Sequence, residues 1–430
     1  MIGDGLRMML KWMVALVLIG TVAPSALKFM PSSVEDILDY LNLNSADRLG
    51  VKEASVSRSI PNISAIITGY GYPIEEYETT TTDGYILAMQ RIPHGRQKTD
   101  GPKPAVLVVH GLLGLATDFV SNAPNQSLGF ILADNGYDVW LGNCRGNTYS
   151  RRHVKLKPDQ EVFWDFSFDE MALQDLPAFV NKVISVTNES KISYVGYSEG
   201  TMMGFAGFSQ NQTLANQVKA FYAMGPVTTI NHITSPLKIL APFANELGFL
   251  FELFGRGEFL PRNALMDWIA KYACDGSLPE VLCTNFLFMI CGTDFANLNE
   301  TRIPFYLDYI PAGTSSRNMI HFAQLINSKK FQMYNYGSKS ENEKHYKQDT
   351  PPEYHPENVN IPVALFYGDK DKLADKGDVA ELIPKLKKLI KAVEIPIFEH
   401  LDFIWAMNAV DPVYKPMLDM MKQIEEKTEN

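Results

Sequence analysis

The stretch that most constrains the fold covers residues 192–203, Ile-Ser-Tyr-Val-Gly-Tyr-Ser-Glu-Gly-Thr-Met-Met. A short apolar strand leads into Gly-x-Ser-x-Gly, and a run able to start a helix follows. A serine on such a turn is held in a strained backbone conformation with its hydroxyl exposed, and the glycines let neighbouring backbone approach. The pattern therefore predicts Ser198 as a nucleophile on a strand–turn–helix elbow. The alternative is a packed turn whose serine only caps the helix.

Strands alternate with helices on both sides of this turn. Asp83-Gly84 lies between two strand-like runs and predicts a hairpin. Ser167 and Glu170 form a capping-box pattern at the start of a helix. The further strands are predicted at residues 104–109, 137–141, 192–195, 218–224, 361–367 and 393–398, and the later helices at 381–391 and 413–424. This rhythm predicts an α/β fold with a mostly parallel sheet.

The alternation stops near Pro226 and returns at Ile361. The intervening residues 228–350 are rich in Phe, Leu, Met and Pro and show short helical patterns. We interpret them as a mainly helical insertion over the carboxyl ends of the strands, where α/β proteins place their sites. The core then consists of residues 61–227 and 351–430.

The amino-terminal residues predict entry into the secretory pathway. Arg7 and Lys11 precede a short apolar run and then small residues, which is typical of a signal peptide over residues 1–26. The run is too short for a comfortable membrane span, so no stable span is expected, and an uncleaved anchor is the alternative. Residues 27–60 are polar and mixed and are expected to be a poorly ordered leader.

Composition excludes some functions and supports the secretory assignment. The net charge is −10 and no basic cluster stands out, so nucleic-acid binding has no electrostatic support. Asn-x-Ser/Thr glycosylation sequons occur at Asn62, Asn125, Asn188, Asn211 and Asn299.

The chain has four cysteines, too few for a disulfide framework. Cys274 and Cys283 are the pair expected to bridge, closing a loop of about ten residues. No cysteine or histidine spacing suggests a metal site, and neither a metal nor a cofactor is expected. The oligomeric state is left open.

A serine hydroxyl needs a base to become a nucleophile, and the base needs an orienting carboxylate. On a strand–turn–helix elbow of this type the order along the chain is Ser, then Asp or Glu, then His. His400 is the histidine that satisfies this order, just after the predicted last strand. The acid is left open by the residues alone, because Asp369, Asp371 and Asp375 all follow the preceding strand.

An oxyanion hole needs two backbone N–H donors aimed at the developing charge. One is expected from Glu199, the residue after the nucleophile, and the other from the loop 110–114, His-Gly-Leu-Leu-Gly. His110 is a less favoured candidate base, because it precedes the elbow and lies in the loop expected to form the hole.

These motifs together resemble one family, the animal acid lipases, over about residues 62–425. The segments that carry the resemblance are 71–77, 83–87, 110–113, 132–134, 136–143, 145–148, 166–171, 311–315 and 400–407. Long matches in the correct order are specific. The resemblance implies an α/β-hydrolase fold with helices on both faces of the sheet, and a cap and lid within residues 228–350.

The resemblance also implies roles for individual residues. The family's Gly-x-x-Asp-x-Leu-Ala-Asp pattern falls on residues 368–375 and selects Asp371 as the acid. The second oxyanion donor falls on Leu112. The family's cap disulfide falls on Cys274 and Cys283, which leaves Cys291 free.

By resemblance, the expected activity is hydrolysis of triacylglycerols or sterol esters at a lipid–water interface by a secreted or lysosomal enzyme. The alternatives are an esterase of small soluble esters and a non-catalytic lipid-binding protein on the same fold.

The chain departs from the family at three positions. The family usually has His before the nucleophile and Gln after it, where this chain has Tyr197 and Glu199. A carboxylate near a developing oxyanion opposes that charge unless it is protonated, paired or turned away. We therefore hypothesise that Glu199 shifts the activity optimum toward acid. Cys144 replaces a common Ser and is expected to be buried and inert.

Overall fold

The computed structural model describes residues 62–99, 101–235, 238, 257–259, 291–292 and 296–429. All of them belong to one unit of the chain, Ile60–Asn430. The predicted signal peptide, the leader and Cys274 and Cys283 lie outside the described residues, as does much of the 228–350 insertion. The description below concerns the described residues.

A nine-stranded mixed sheet forms the centre, with strand order β1-β2-β4-β3-β6-β7-β10-β11 and β5 paired to β2. The strands are β1 Glu75–Thr80, β2 Tyr85–Ile92, β3 Ala105–Val109, β4 Asp138–Gly142, β5 Arg152–His153, β6 Ile192–Tyr197, β7 Val218–Met224, β8 Glu258–Phe259, β9 Thr314–Ser315, β10 Val363–Gly368 and β11 Leu389–Ile395. β1, β2 and β5 form antiparallel pairs, whereas β4, β3, β6, β7, β10 and β11 run parallel. β8 and β9 form a separate antiparallel pair.

The α-helices are α1 Ile63–Gly69, α2 Leu128–Asp134, α3 Phe168–Glu170, α4 Leu176–Thr187, α5 Glu199–Gln210, α6 Gln212–Ala215, α7 Ile303–Leu307, α8 Ser316–Ser328, α9 Lys339–Tyr346, α10 Lys376–Leu382, α11 Asp402–Trp405 and α12 Lys415–Glu429. A π-helical turn at Met171–Asp175 joins α3 to α4, and another at Val410–Tyr414 leads into α12. Short 3-10 helices lie at Ala116–Phe119, Glu161–Trp164, Glu300–Arg302, Pro356–Asn358 and Ile383–Lys385. Among the described residues, no helix has the length and apolarity needed to cross a membrane.

The sheet separates two hydrophobic cores. β3 is buried along its whole length, and its side chains alternate between the two faces. Val106 and Val108 enter one core, and Leu107 and Val109 enter the other. Continuous apolar strands of this kind are stable only when helices cover both faces, which is the arrangement predicted for the parallel part of the sheet.

Most of the predicted elements are present. The hairpin turns at Asp83-Gly84, and Ser167 caps α3 with the predicted capping box to Glu170. The predicted helix at 381–391 and the start of the last strand at 393 are wrong. Asp375 caps an earlier helix by accepting the Gly377 N–H, and the chain then enters β11 at Leu389. The apolar residues of β11 lie in a strand that pairs with β10, and they do not form the face of a helix.

A buried ion cluster ties the loop after β4 to the helical layer. Arg145 is 1% exposed, and its guanidinium donates to Asp175 at 2.7 Å and to Asp83 at 2.6 Å. The Arg145 N–H also donates to Asp175, and the guanidinium lies 4.0 Å from the Tyr85 ring centroid. Because Asp175 is fully buried, its charge depends on this partner.

We predict that Arg145→Met destabilises the protein by roughly 3–5 kcal/mol, because it leaves Asp175 as an uncompensated buried charge. Urea unfolding monitored by fluorescence measures this change. The matched control is Arg152→Met, which removes an ion pair whose two side chains are both 57% exposed, and should cost less than about 1 kcal/mol. Equal losses in the two variants would contradict the assignment.

Candidate active site

The backbone of the Gly-x-Ser-x-Gly turn is forced by close packing. Ser198 lies between β6 and α5 with φ 53° and ψ −116°, a conformation that side chains rarely adopt. A Cβ on Gly196 would lie 2.6 Å from the Gly200 carbonyl oxygen, and one on Gly200 would lie 2.5 Å from the Val109 carbonyl oxygen. Both flanking positions must therefore be glycine. This is the strained elbow that the sequence predicts.

The structure brings Ser198, His400 and Asp371 together at the carboxyl ends of β6, β10 and β11. The Ser198 hydroxyl lies 2.7 Å from Nε2 of His400, and Nδ1 of His400 lies 2.8 Å from Oδ2 of Asp371. All three residues are at most 9% exposed. With Nδ1–H donating to the carboxylate, Nε2 is free to accept the serine proton, as nucleophilic catalysis requires.

The structure separates the three aspartates that the residues alone left open. Asp371 contacts His400, and its other oxygen accepts the N–H groups of Leu373 and Ala374 at 2.9 and 2.8 Å. Asp369 instead accepts the Ile397 N–H, and Asp375 caps α10. The resemblance and the geometry thus select the same residue.

Tyr197 holds the loop that carries His400. Its hydroxyl donates to the His400 carbonyl oxygen at 2.9 Å, and the two rings lie 5.2 Å apart. On the other side of the loop, the Cys291 carbonyl accepts the His400 N–H at 3.3 Å. In the sequence, Tyr197 stands out only as a departure from the family pattern. Its contact with a residue 203 positions away leaves no local pattern in the sequence.

The loop after β3 lies directly against the nucleophile. A Cβ on Gly111 would lie 2.9 Å from Cβ of Ser198, so Leu112 follows at the edge of the elbow. As the first residue of α5, Glu199 has an N–H with no acceptor one turn earlier in the helix. Both predicted oxyanion donors therefore belong to segments that meet at Ser198.

His110 supports this loop and does not contact the triad. Its Nδ1 lies 2.8 Å from the Gly111 carbonyl oxygen, so this nitrogen carries the proton. Nε2 accepts the N–H of Cys144 and the side-chain amide of Asn147, both at 3.1 Å. Burial lowers the pKa of His110 to about 4. The residue is accordingly a neutral part of the scaffold.

The Glu199 side chain is paired and fully buried. Its Oε1 accepts the side-chain amide of Asn318 on α8 at 2.6 Å. Burial raises the pKa of the carboxyl to about 7, which the Asn318 amide partly offsets. The carboxyl is therefore neutral in acid. Sequence reasoning missed Asn318, which no motif marks and which lies 119 residues away.

Cys144 is 1% exposed beside Met203, and burial raises the pKa of its thiol well above the usual value. Both findings agree with the expectation of an inert thiol. Cys291 is a free thiol, half-buried next to the His400 loop.

One cluster among the described residues has metal-ligand types. His232, Asp378 and Glu381 bring ligand atoms within 4.8 Å of one another. Asp378, however, already accepts the Thr229 hydroxyl and the N–H groups of Asn231 and His232 at 2.9 Å each. We assign it to holding the segment 229–232 against α10.

The predicted glycosylation sequons all fall on described residues. Four of the asparagines are exposed and Asn299 is partly exposed; the exposed residues are Asn62, Asn125, Asn188 and Asn211. Two of the side chains also serve as helix caps, since Asn62 accepts the Ser64 N–H and Asn211 accepts the Leu214 N–H.

Two family models match the chain. One is described as "Partial alpha/beta-hydrolase lipase region" and matches residues 63–123. The other is described as "alpha/beta hydrolase fold" and matches residues 104–267. The predicted α/β-hydrolase fold is thereby confirmed.

Curated relatives match over most of their length. Gastric triacylglycerol lipase of Rattus norvegicus is 50% identical over 365 residues, which cover 84% of this chain and 92% of the relative. The Homo sapiens gastric triacylglycerol lipase is 48% identical, with coverages of 84% and 91%. The Homo sapiens lysosomal acid lipase/cholesteryl ester hydrolase is 43% identical, with coverages of 85% and 91%.

Solved structures support the same fold at much lower identity. DcsB in complex with its substrate analogue gives a TM-score of 0.51 at 13% identity, over 82% of this chain and 99% of that chain. A hypothetical protein from Pseudomonas aeruginosa also gives 0.51, at 11% identity, over 83% and 94%. At these identities the likeness shows the fold alone.

We predict that Glu199→Gln stabilises the protein at pH 8 and leaves its stability unchanged at pH 4. A buried acid with a raised pKa favours the folded state below its unfolded pKa, near 4.5, and this contribution is lost as the pH rises through about 7. Glutamine does not titrate and its Oε1 still accepts the Asn318 amide. The gain in unfolding free energy should therefore grow across this window to at most about 3 kcal/mol.

Urea unfolding of wild type and variant at pH 4, 6 and 8 measures this difference. Glu300→Gln, at an exposed position, is the control and should show no such trend. A gain that is the same at all three values of pH would refute the pKa assignment.

Proposed function

Because this chain belongs to the family of gastric triacylglycerol lipase and lysosomal acid lipase, we propose that it hydrolyses carboxylic esters of neutral lipids through a Ser198–His400–Asp371 triad. The observation that carries the proposal is the continuous hydrogen-bond chain from the Ser198 hydroxyl through His400 to Asp371, at 2.7 and 2.8 Å. It is supported by the strained elbow that presents the hydroxyl.

In the proposed reaction Ser198 Oγ attacks the ester carbonyl while Nε2 of His400 takes its proton. Asp371 holds the imidazole in the tautomer with Nδ1 protonated and stabilises the imidazolium that forms. The N–H groups of Leu112 and Glu199 bind the oxyanion. His400 then protonates the leaving alcohol, and water cleaves the acyl-enzyme by the reverse sequence.

The proposed substrate class is triacylglycerols or sterol esters at a lipid–water interface. Its support is the relatives, whose names describe a triacylglycerol lipase and a cholesteryl ester hydrolase. The large apolar insertion is a second support, since we assign residues 228–350 to a cap and lid over the site. The described part of this insertion carries α7, α8 and α9.

We further propose that the protein is secreted or lysosomal. The assignment combines the predicted signal peptide over residues 1–26 with exposed sequons such as Asn125 and Asn188. A Cys274–Cys283 disulfide in the cap is part of this proposal, because the secretory pathway is oxidising.

We predict that Ser198→Ala lowers kcat for ester hydrolysis by at least about 10⁴-fold, because the acyl-enzyme can no longer form. The measurement is fatty-acid release by the purified protein from emulsified triacylglycerol, sterol ester and a dissolved short-chain ester. Labelling by a fluorophosphonate probe should be lost in parallel.

The pattern across substrates separates the alternatives. Faster turnover of emulsified than of dissolved esters supports a lipase, and the reverse supports an esterase of small esters. Unlabelled wild type that hydrolyses none of the three would indicate a non-catalytic lipid-binding protein. Ser198→Gly serves as a second nucleophile-free variant.

We predict that Glu199→Gln raises the ratio of kcat at pH 8 to kcat at pH 5 by roughly 10-fold. Above about pH 7 the wild-type carboxyl is ionised on the residue that directly follows the nucleophile, and a negative charge in this region opposes the developing one. The pH–rate profiles of both proteins on a dissolved ester measure the ratio. An unchanged ratio would show that Glu199 does not set the optimum.

A further inference from the structure

The segment 312–318 is bonded to both parts of the proposed oxyanion hole. The Ala312 N–H donates to the Leu113 carbonyl oxygen at 2.7 Å, in the loop that carries Leu112. Six residues later, the Asn318 side-chain amide donates to Glu199 Oε1 at 2.6 Å. One short stretch of chain thus contacts the backbone of the loop that carries one proposed donor and the side chain of the residue that supplies the other.

The segment is itself firmly held. Thr314 is 2% exposed, and Ser315 and Asn318 are fully buried. The Ser315 side chain caps α8 by accepting the Asn318 N–H at 3.0 Å, and its hydroxyl donates to the Phe166 carbonyl oxygen. At the other end, the Thr148 hydroxyl donates to the Ala312 carbonyl oxygen at 3.2 Å. The segment 312–318 is therefore fixed to the rest of the protein by bonds other than those to Leu113 and Glu199.

The direction of the Asn318 amide is determined by its second partner. Its Oδ1 lies 2.8 Å from the backbone nitrogen of Phe168, a group that can only donate. Oδ1 must therefore be the acceptor, and the NH₂ group must face Glu199. The same NH₂ group lies 3.2 Å from the Thr314 hydroxyl. Asn318 consequently links α3, the segment 312–318 and the residue after the nucleophile.

The loop after β3, which carries Leu112 and Leu113, needs support from the segment 312–318. Leu113 adopts φ 60°, a left-handed conformation that costs a residue with a Cβ about 1–2 kcal/mol. The Gly114 N–H closes the turn onto the Gly111 carbonyl at 3.0 Å, and the Ala312 N–H fixes the Leu113 carbonyl that this conformation points outward.

We infer that the segment 312–318 sets the spacing of the two oxyanion donors and that Asn318 is a positioning residue that acts through Glu199. This inference rests on the proposed function, because the spacing matters only if an oxyanion forms at Ser198. Small displacements of positioned groups are costly in catalysis, and an oxyanion donor contributes about 10²–10³-fold to kcat.

Asn318→Asp is the test variant, because it keeps the shape and the acceptor for the Phe168 N–H and removes the donor to Glu199. At pH 8 it places two carboxylates against each other. The other ionisable groups that face Glu199 are Asp175, which Arg145 neutralises, and the Cys144 thiol. We expect kcat on dissolved p-nitrophenyl butyrate to fall about 10- to 100-fold, with KM unchanged.

The double variant Glu199→Gln with Asn318→Asp exchanges acid and amide between the two positions. The glutamine NH₂ group can then donate to the aspartate, so the hydrogen bond is restored in the opposite direction. We expect kcat to return to within about 3-fold of Glu199→Gln alone. A phenylboronic acid forms a tetrahedral adduct on the serine. Its inhibition constant should rise in Asn318→Asp and fall again in the double variant.

Gln324→Leu is the matched control, since Gln324 on the same helix donates to the Asn335 carbonyl at 2.8 Å, away from Glu199. It should leave kcat unchanged. If Asn318→Asp lowers kcat no more than Gln324→Leu, or if the exchange does not restore kcat, the inference is wrong. Undiminished turnover by Ser198→Ala would instead overturn the proposed function, so the two failures are distinguishable.

Discussion

The end of β3, the turn that carries Ser198 and the first turn of α5 approach one another closely. This close approach is the constraint on which the site depends. The first turn of α5 lies so near the end of β3 that a single added carbon at Gly200 would overlap the Val109 carbonyl. The left-handed conformation of Ser198 costs of order 1–3 kcal/mol and persists only when the surroundings over-determine it. Here they do: the Tyr194 hydroxyl donates to the Gly200 carbonyl at 2.7 Å, and the Thr201 hydroxyl donates to the Ser198 carbonyl at 2.6 Å. Glu199, whose N–H is the second proposed donor, begins α5 directly after the serine in this packed turn.

The parallel sheet supplies the rest of the triad without further strain. Carboxyl ends of parallel strands meet at one edge, so residues that follow β6, β10 and β11 are brought together although they are far apart in the chain. Position along the chain alone does not determine which aspartate contacts His400, since Asp369 and Asp375 lie in the same connection as Asp371. Two N–H groups fix one oxygen of Asp371 and leave the other for His400. Tyr197, the last residue of β6, then restrains the histidine loop through the hydrogen bond from its hydroxyl to the His400 carbonyl oxygen.

Features governed by local backbone chemistry could be predicted from the sequence. The elbow needs glycines at 196 and 200, the hairpin needs Asp83-Gly84, and the order of Ser and His follows from the topology. The choice of Asp371 came from resemblance, because three aspartates share one loop. The contacts of Tyr197 with His400 and of Asn318 with Glu199 could not be predicted, since each joins distant parts of the chain and no motif assigns these two side chains a role. The helix predicted at 381–391 failed because pairing with β10 overrode a locally helical pattern.

Burial shifts the pKa values of three ionisable groups around the elbow. Asp118, in the 3-10 helix Ala116–Phe119, accepts the Leu115 N–H directly after the oxyanion loop. Burial raises the pKa of Asp118 to about 8 and that of Glu199 to about 7. It lowers the pKa of His110, in the same loop, to about 4. Between about pH 4 and pH 7 all three groups are mainly neutral, so the loop and the elbow carry little net charge from them. In this range none of these three groups places a negative charge near an oxyanion at Ser198, which the proposed mechanism stabilises with N–H dipoles. Above about pH 7 the Glu199 carboxyl is mainly ionised. Of these three residues, Glu199 is the one that directly follows the nucleophile. Glu199 is one of the three positions at which this chain departs from the family pattern, and its hydrogen bond to Asn318 and its raised pKa bring geometry and charge together at one residue.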